Sequence, residues 1–174
     1  MTAEFQRFTA PDAAQLERDI ATCRERLAQA EALGDDAAIV DHAADLGGML
    51  TTARREAEAL AVMAPHTARA EALPQHEPTA WFWNALATAL QYLGRHDEAA
   101  PLFDRAVQLS RASGWRRIEA MARQHWGRSL AEQGCLDGAR QQFEAALAIR
   151  QAMGDPRAAS SQRALDGLAE LSGQ

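Results

Sequence analysis

The side chains able to do chemistry are few and scattered. His42, His66, His76, His96 and His125 are the groups that titrate unperturbed near neutral pH. A helical metal or acid–base site needs a pair such as H-E-x-x-H, which sets two imidazoles on one face. None of the five has a second histidine four residues on, so surface or groove histidine is expected. Cys23 and Cys135 belong to no C-x-x-C pair and are too few for a disulfide framework or a zinc site. Both are expected as reduced thiols. All eighteen basic residues are arginine, which excludes lysine Schiff bases, covalently anchored pyridoxal phosphate and a P-loop lysine. With no G-x-G-x-x-G, no nucleophile motif and no Asp-rich calcium loop, the expectation is a non-enzymatic chain without catalytic residues, metal or cofactor. Arg111, Arg116, Arg117, Arg123 and Arg128 form the one basic concentration. They could grip a carboxylate through bidentate guanidinium contacts, or pair with Glu119 and Asp137 as a solvated surface.

Charge and composition narrow the partners. The chain has 174 residues, 47 % of them apolar and 24 % charged, with a net charge of −6. It can bury a core, and it has no general attraction for nucleic acid or an anionic membrane. Met1–Ala10 has no basic cluster followed by an apolar stretch, so no secretory leader is expected. The purest apolar run, Ala59–Ala64, is far too short to span a bilayer. A cytoplasmic location is the expectation.

The elements that must carry these side chains are helices in a tandem array. Gly34, Gly114 and Gly154 are spaced by 80 and 40 residues, with Pro74 in the vacant slot. Gly47, Ala87, Gly127 and Gly167 form a second ladder of period 40, followed by Leu50/Leu90/Leu130, Ala59/Ala99/Ala139 and Met63/Phe103/Phe143. A fixed period of this length marks a repeat architecture. Within one unit Trp83, Leu86, Ala87 and Leu90 recur at i, i+3, i+4 and i+7, one helical stripe. A second stripe runs through Ala99, Leu102, Phe103, Ala106 and Val107. No segment alternates with period two, so no sheet is expected. The grid predicts a lone helix near 11–33, then pairs near 37–52 with 55–72, 79–93 with 96–113 and 116–133 with 136–153. A last helix over 156–171 starts at Asp155-Pro156, an N-cap followed by Pro in the first helical position. Pro65 and Pro101 fall inside helices and should bend or break them, and Arg54 stands where other units have Gly. In this frame Trp81-Phe82-Trp83 sends Trp83 to the core and Trp81 about 160° away from it. Trp81 is either a ligand anchor or packing beneath a neighbouring helix.

Trp83-x2-Leu86-Ala87-x2-Leu90 with Ala99-x3-Phe103, and Trp126-Gly127-x2-Leu130 with Ala139-x3-Phe143, resemble the tetratricopeptide repeat. Leu46-Gly47-x2-Leu50 with Ala59-x3-Met63 is a degenerate copy. The resemblance covers nearly all of the chain from Pro11, and the period is similar to the longer-helix variant of bacterial regulators and kinesin light chains. It implies an all-α, right-handed α-solenoid of antiparallel helix pairs with about eight helices. The organisation expected is an N-terminal extension (1–10) and one repeat domain (11–174). That domain comprises a half repeat (11–36), repeats at 37–76, 77–116 and 117–156, and a capping helix (157–172).

The same resemblance lines a concave face with the first helix of each pair. It places Trp81, Asn84, Thr88 and Gln91 there, then Met121, Gln124, His125 and Arg128, with Asp41, Ala44, Asp45 and Gly48 in the first unit. It implies a module that binds a peptide or partner protein in this groove, where amides hold a backbone and pockets take side chains. The Lys/Asn/Arg set of the family's carboxylate clamp for chaperone tails is missing. The alternative is a small regulatory or sensor protein, or an accessory subunit, whose array holds a ligand pocket or supports an enzyme. A homodimer through the last helix is also expected. Leu165, Leu168 and Leu171 lie off the grid's core positions, which Asp166 and Glu170 occupy, and an exposed leucine face invites a second copy.

Overall fold

The computed structural model describes residues 7–172, with side chains through Glu170. Met1–Gln6, on which the leader expectation partly rests, and the Leu171 side chain lie outside the described residues. The described residues form α1 (Ala13–Leu33), α2 (Asp36–Thr52), α3 (Glu56–Met63), a 3-10 turn (Ala64–His66), α4 (Thr67–Ala72), α5 (Glu77–Tyr92), α6 (His96–Ser113), α7 (Arg116–Glu132), α8 (Leu136–Ala152) and α9 (Ala158–Ser172), with no strand among them. Counting α3 and α4 as one rod broken at Pro65, the helices number eight. Successive helices pack antiparallel, and α2 packs directly on α5 and α5 on α7, so the first helices of the pairs form one layer and the second helices another. The result is an all-α solenoid. No helix among the described residues is long and apolar enough to cross a membrane.

Local chemistry sets the boundaries. The Asp12 carboxylate accepts the Gln15 N–H at 2.8 Å and Asp35 accepts the Ala38 N–H at 3.0 Å, each supplying an orphan donor of a first turn. Six of the turns share one device, at a spacing of twenty residues except across the turn near Pro74, which lacks it. Gly34, Arg54, Gly94, Gly114, Gly134 and Gly154 all have positive φ, and the N–H of the following residue reaches a carbonyl five back, as Arg95 to Leu90 (2.9 Å) and Asp155 to Arg150 (2.9 Å). Among the described residues Arg54, at φ 64°, is the one side chain forced into this left-handed geometry.

Between the helices of each pair the small-residue ladder meets the aromatic one. Ala87, Ala99, Phe103, Ala139 and Phe143 are fully buried. A Cβ on Gly127 would lie 2.7 Å from the Phe143 ring, and a Cβ on Gly47 would overlap the Met63 thioether. The small side chain is what allows the ring to lie against backbone.

The two internal prolines behave differently. Pro65 breaks its helix into α3 and α4 through the 3-10 turn, where the Thr67 hydroxyl donates to the Ala64 carbonyl at 3.1 Å. Helix α6 instead runs unbroken through Pro101, losing the one N–H that would have bonded to the Asp97 carbonyl. At the last helix the Asp155-Pro156 expectation needs correction. Helix α9 begins at Ala158, and Asp155 caps the Arg157 N–H (2.9 Å) while pairing with its guanidinium (2.6 Å). Leu168 is fully buried with Ala139, Phe143 and Ala164, and Leu165 packs against them half-buried, while Asp166 and Glu170 face outward. Of the leucines on which the dimer expectation stood, Leu168 is thus taken up by the core and Leu165 partly so.

Candidate functional site

The inner layer, α2–α5–α7–α9, carries the residues expected in the groove, and the structure joins many of them by hydrogen bonds from one helix to the next. Between α2 and α5 the Trp81 indole donates to Asp45 Oδ1 at 3.1 Å, and its ring lies close against Gly48. Trp81 is half-buried, so it serves partly as packing between these helices. Desolvation and then the neighbouring Asp41 push the Asp45 carboxyl above its ordinary range, with the indole N–H opposing.

Between α5 and α7 there are three rungs. Thr88 Oγ1 lies 2.9 Å from His125 Nδ1 and 2.7 Å from the Asn84 carbonyl. The hydroxyl has one proton; given to the carbonyl, it leaves Nδ1 as the donor. Gln91 Nε2 donates to Glu132 Oε2 at 3.0 Å, and Arg128 Nη1 donates to the Tyr92 hydroxyl. Between α7 and α9, Ser161 Oγ donates to Gln124 Oε1 at 2.6 Å, and the buried Arg150 of α8 donates to both, at 2.8 and 3.0 Å. Burial first, and then the Arg128, Arg150 and Arg7 charges, push the His125 pKa down to about 3. The imidazole is neutral at neutral pH and acts as a polar contact, not a cation.

The eight expected residues therefore differ in accessibility. Trp81, Met121, His125 and Arg128 are half-buried, Thr88, Gln91 and Gln124 are buried, and Asn84 is fully buried. Both Asn84 amide atoms lack a hydrogen-bond partner. The basic concentration does not come together. Arg123 pairs with Glu119 (2.8 Å) and reaches Gln142, Arg111, Arg116 and Arg117 are exposed, and Arg128 lies with Tyr92. Nor do the histidines: His96 meets Ser129 at 3.0 Å and His66 faces Glu31 at 3.4 Å. No group of three or more His, Cys, Asp and Glu that could hold a metal occurs among the described residues.

Sequence reasoning missed Arg7, Tyr92, Glu132, Arg150 and Ser161. Tyr92 and Glu132 had a signal, since they continue the inner stripes of α5 and α7 beyond Thr88 and Arg128. Arg150 and Ser161 had none, because their meeting depends on how α9 docks. Arg7 lay in a stretch expected to be a mere extension. Its guanidinium stacks 3.3 Å from the centroid of the Tyr92 ring and donates to the Thr51 carbonyl (2.9 Å) and to Glu56 (2.5 Å). Away from this layer, Arg105 stacks on Trp83 at 4.1 Å beside a cleft of about 230 Å³ among α4, α5 and α6.

Comparison with known proteins agrees with this geometry. Residues 79–113, which take in all but the start of α5 and the whole of α6, match the tetratricopeptide repeat family model. No curated protein matches the chain. In structure it is similar to BtubC (BKLC) from P. vanneervenii, with a TM-score of 0.72 at 22 % sequence identity, covering 92 % of this chain and 68 % of that one. That likeness is one of fold. Repeats of this family generally mediate protein–protein interaction. Residues 79–113 thus carry a tetratricopeptide repeat, set in a chain whose described residues fold as an α-helical repeat solenoid.

Proposed function

We propose that this chain is a non-enzymatic protein–protein interaction module that docks a peptide or partner protein on its inner face. One observation carries the reading most. The half-buried side chains of that face are chemically mixed, with indole, thioether, imidazole and guanidinium at Trp81, Met121, His125 and Arg128. They stand on a rigid layer whose helices are bonded to one another. Peptide recognition uses such a surface: apolar anchors for area and a few fixed polar groups for register. The titratable groups favour binding over catalysis, because the Thr88 hydroxyl beside the neutral His125 gives its proton to the Asn84 carbonyl, which leaves Nδ1 as a donor and not a base for that hydroxyl. The free thiols of Cys23 and Cys135 suit a reducing compartment such as the cytoplasm.

The test immobilises the chain, recovers binding proteins from native cytoplasm and titrates each against variants. Met121→Glu and Trp81→Ala change the inner face, and Glu144→Arg changes an exposed position on α8. The expected result is affinity lowered about tenfold or more by the inner-face changes and unchanged by Glu144→Arg. The reverse pattern would place the interaction on the outer layer and refute the groove.

A further inference from the structure

The cleft beside Arg105 opens between α5, α6 and α4, the short segment left by the break at Pro65, and measures about 230 Å³. Ala70, Pro74 and Leu109 give it apolar walls. Thr79, deeper in, has already given its hydroxyl proton to the Leu73 carbonyl at 2.8 Å. The polar groups at the mouth are the exposed Arg105 and Gln108, which share one face of α6 with Leu109. The Arg105 guanidinium lies 4.1 Å from the centroid of the Trp83 ring and gives one N–H to Glu71 at 3.1 Å. Stacking fixes the plane of a guanidinium while leaving its N–H edge able to take a carboxylate. The next repeat treats the same positions differently. Forty residues on, Glu119 and Arg123 stand in place of Thr79 and Trp83. They pair at 2.8 Å, both largely buried, and Arg123 also reaches Gln142 at 2.9 Å. That repeat supplies a buried carboxylate to its own guanidinium, whereas the carboxylate on Arg105, Glu71, is more than half exposed.

We propose that this cleft binds a small monocarboxylic acid, with a phenyl or branched alkyl body between α4 and α6 and the carboxylate on the guanidinium edge of Arg105. Size sets the class. A cleft of about 230 Å³ exceeds the apolar cavity of about 150 Å³ that takes benzene and falls short of the roughly 300 Å³ at which drug-sized pockets begin. Trp83 is 2 % exposed beneath the guanidinium, so the ligand meets the guanidinium edge and the aliphatic walls, not the indole face. Glu71 competes for the same donors, and removing its charge therefore strengthens binding. The site lies away from the inner-face residues and does not rest on the proposed function.

The experiment titrates the isotope-labelled full chain with hydrocinnamate and follows its indole and side-chain amide signals. Saturable shifts are expected at the Trp83 indole and the Gln108 amide, with Kd on the order of 0.1–1 mM and the Trp81 and Trp126 indoles unmoved. Arg105→Gln should weaken binding about tenfold or more, and Glu71→Gln should tighten it about threefold or more. The uncharged amide of the same acid should bind at least about tenfold more weakly than the acid. Arg105 and Glu71 are both exposed, so these variants should keep the fold. The proposal is overturned by the lack of any saturable shift up to about 10 mM, or by shifts centred on Trp81. It is equally overturned by an Arg105→Gln protein that binds as wild type, a Glu71→Gln protein that binds no tighter, or an amide bound as well as the acid. A short peptide ending in phenylalanine that binds where hydrocinnamate does not makes the occupant a chain terminus and also overturns it. Every outcome is read without a partner protein, so a failed partner titration bears on the proposed function alone.

Discussion

The helix crossings give the sharpest quantitative test, because two glycines at equivalent repeat positions face neighbours of different stiffness. Replacing Gly127 by Ala places a Cβ 2.7 and 2.8 Å from the Phe143 ring and 3.2 Å from the Ala139 carbonyl oxygen. Phe143 is fully buried and Ala139 is backbone in a neighbouring helix, so neither can yield without moving α8 from α7. Overpacking of this kind costs about 1–3 kcal/mol. With two ring atoms under 3 Å the cost lies at the upper end, about 2–3 kcal/mol, and alanine's better helix propensity returns about 1 kcal/mol, leaving a net loss of about 1–2 kcal/mol. For a chain of this length that is a fall in Tm of roughly 2–8 °C. The same change at Gly47 meets only the Met63 side chain, whose three rotatable bonds let it withdraw. Propensity then largely offsets the strain, and Gly47→Ala should be near neutral. Thermal unfolding followed by far-ultraviolet circular dichroism compares the two, and Phe143→Leu added to Gly127→Ala should recover part of the loss as a pairwise coupling. A Gly127→Ala protein as stable as wild type would show that the α7–α8 crossing is not close-packed and would refute the packing argument.

Three further outcomes follow from other parts of the molecule. Arg54→Gly relieves a left-handed side chain, worth roughly 1–2 kcal/mol, against glycine's entropic cost of about 0.5–1 kcal/mol; urea unfolding should show a gain of about 0.5–1 kcal/mol. His125 resists protonation in the folded state, so below pH 6.5 the unfolded chain binds a proton that the folded chain refuses, and stability falls as pH falls toward 3. Between pH 6.5 and 5, before most carboxylates titrate, His125→Gln should flatten that slope; an unchanged slope means the imidazole is solvated. Arg150 is buried and holds Gln124, Ser161 and the Arg157 carbonyl, so Gln124→Leu, which takes one acceptor from the guanidinium and the acceptor of the Ser161 hydroxyl, should cost about 1–3 kcal/mol. Arg150→Met, which leaves the Ser161–Gln124 bond intact, should cost less, with hydrogen exchange in α9 separating the two.

Much of the fold was legible because the repeat is written in residues that sterics alone require. A ring at Phe103 or Phe143 needs a small residue opposite, so Ala87 and Gly127 with Ala99 and Ala139 could be read as crossings without coordinates. The same logic worked for the turns, where Gly94 and Gly134 announce a left-handed residue, and it recovered position 54 only as an anomaly. Pro65 and Pro101 were indistinguishable by sequence. One ended a helix because Ala64–His66 could form a 3-10 turn, and the other cost a single bond inside α6. The inner face was legible as a stripe but not as a network. Trp81 was found by its angle from Trp83, whereas its bond to Asp45, the Thr88–His125 contact and the Arg150 cluster depend on how helices from different repeats are set side by side. Arg7 could not be found at all, because nothing local announces that a short polar stretch folds onto Tyr92.

That network changes what the groove can offer a ligand. Thr88, Gln91, Gln124 and Tyr92 are already engaged with the next inner helix, and an incoming group that takes one of these bonds exchanges one hydrogen bond for another, a net of at most about 1 kcal/mol. Affinity in the proposed site must therefore come from groups that gain something new, chiefly apolar area on the half-buried Trp81 and Met121. Substitutions at Thr88 or Gln91 act first on how α5 sits against α7, and hence on the curvature of the layer, and only through that on binding. Residues that line the groove and residues that set its shape are in this protein largely the same, so a binding loss at a rung residue reads as recognition only when the helix packing beneath it is unchanged.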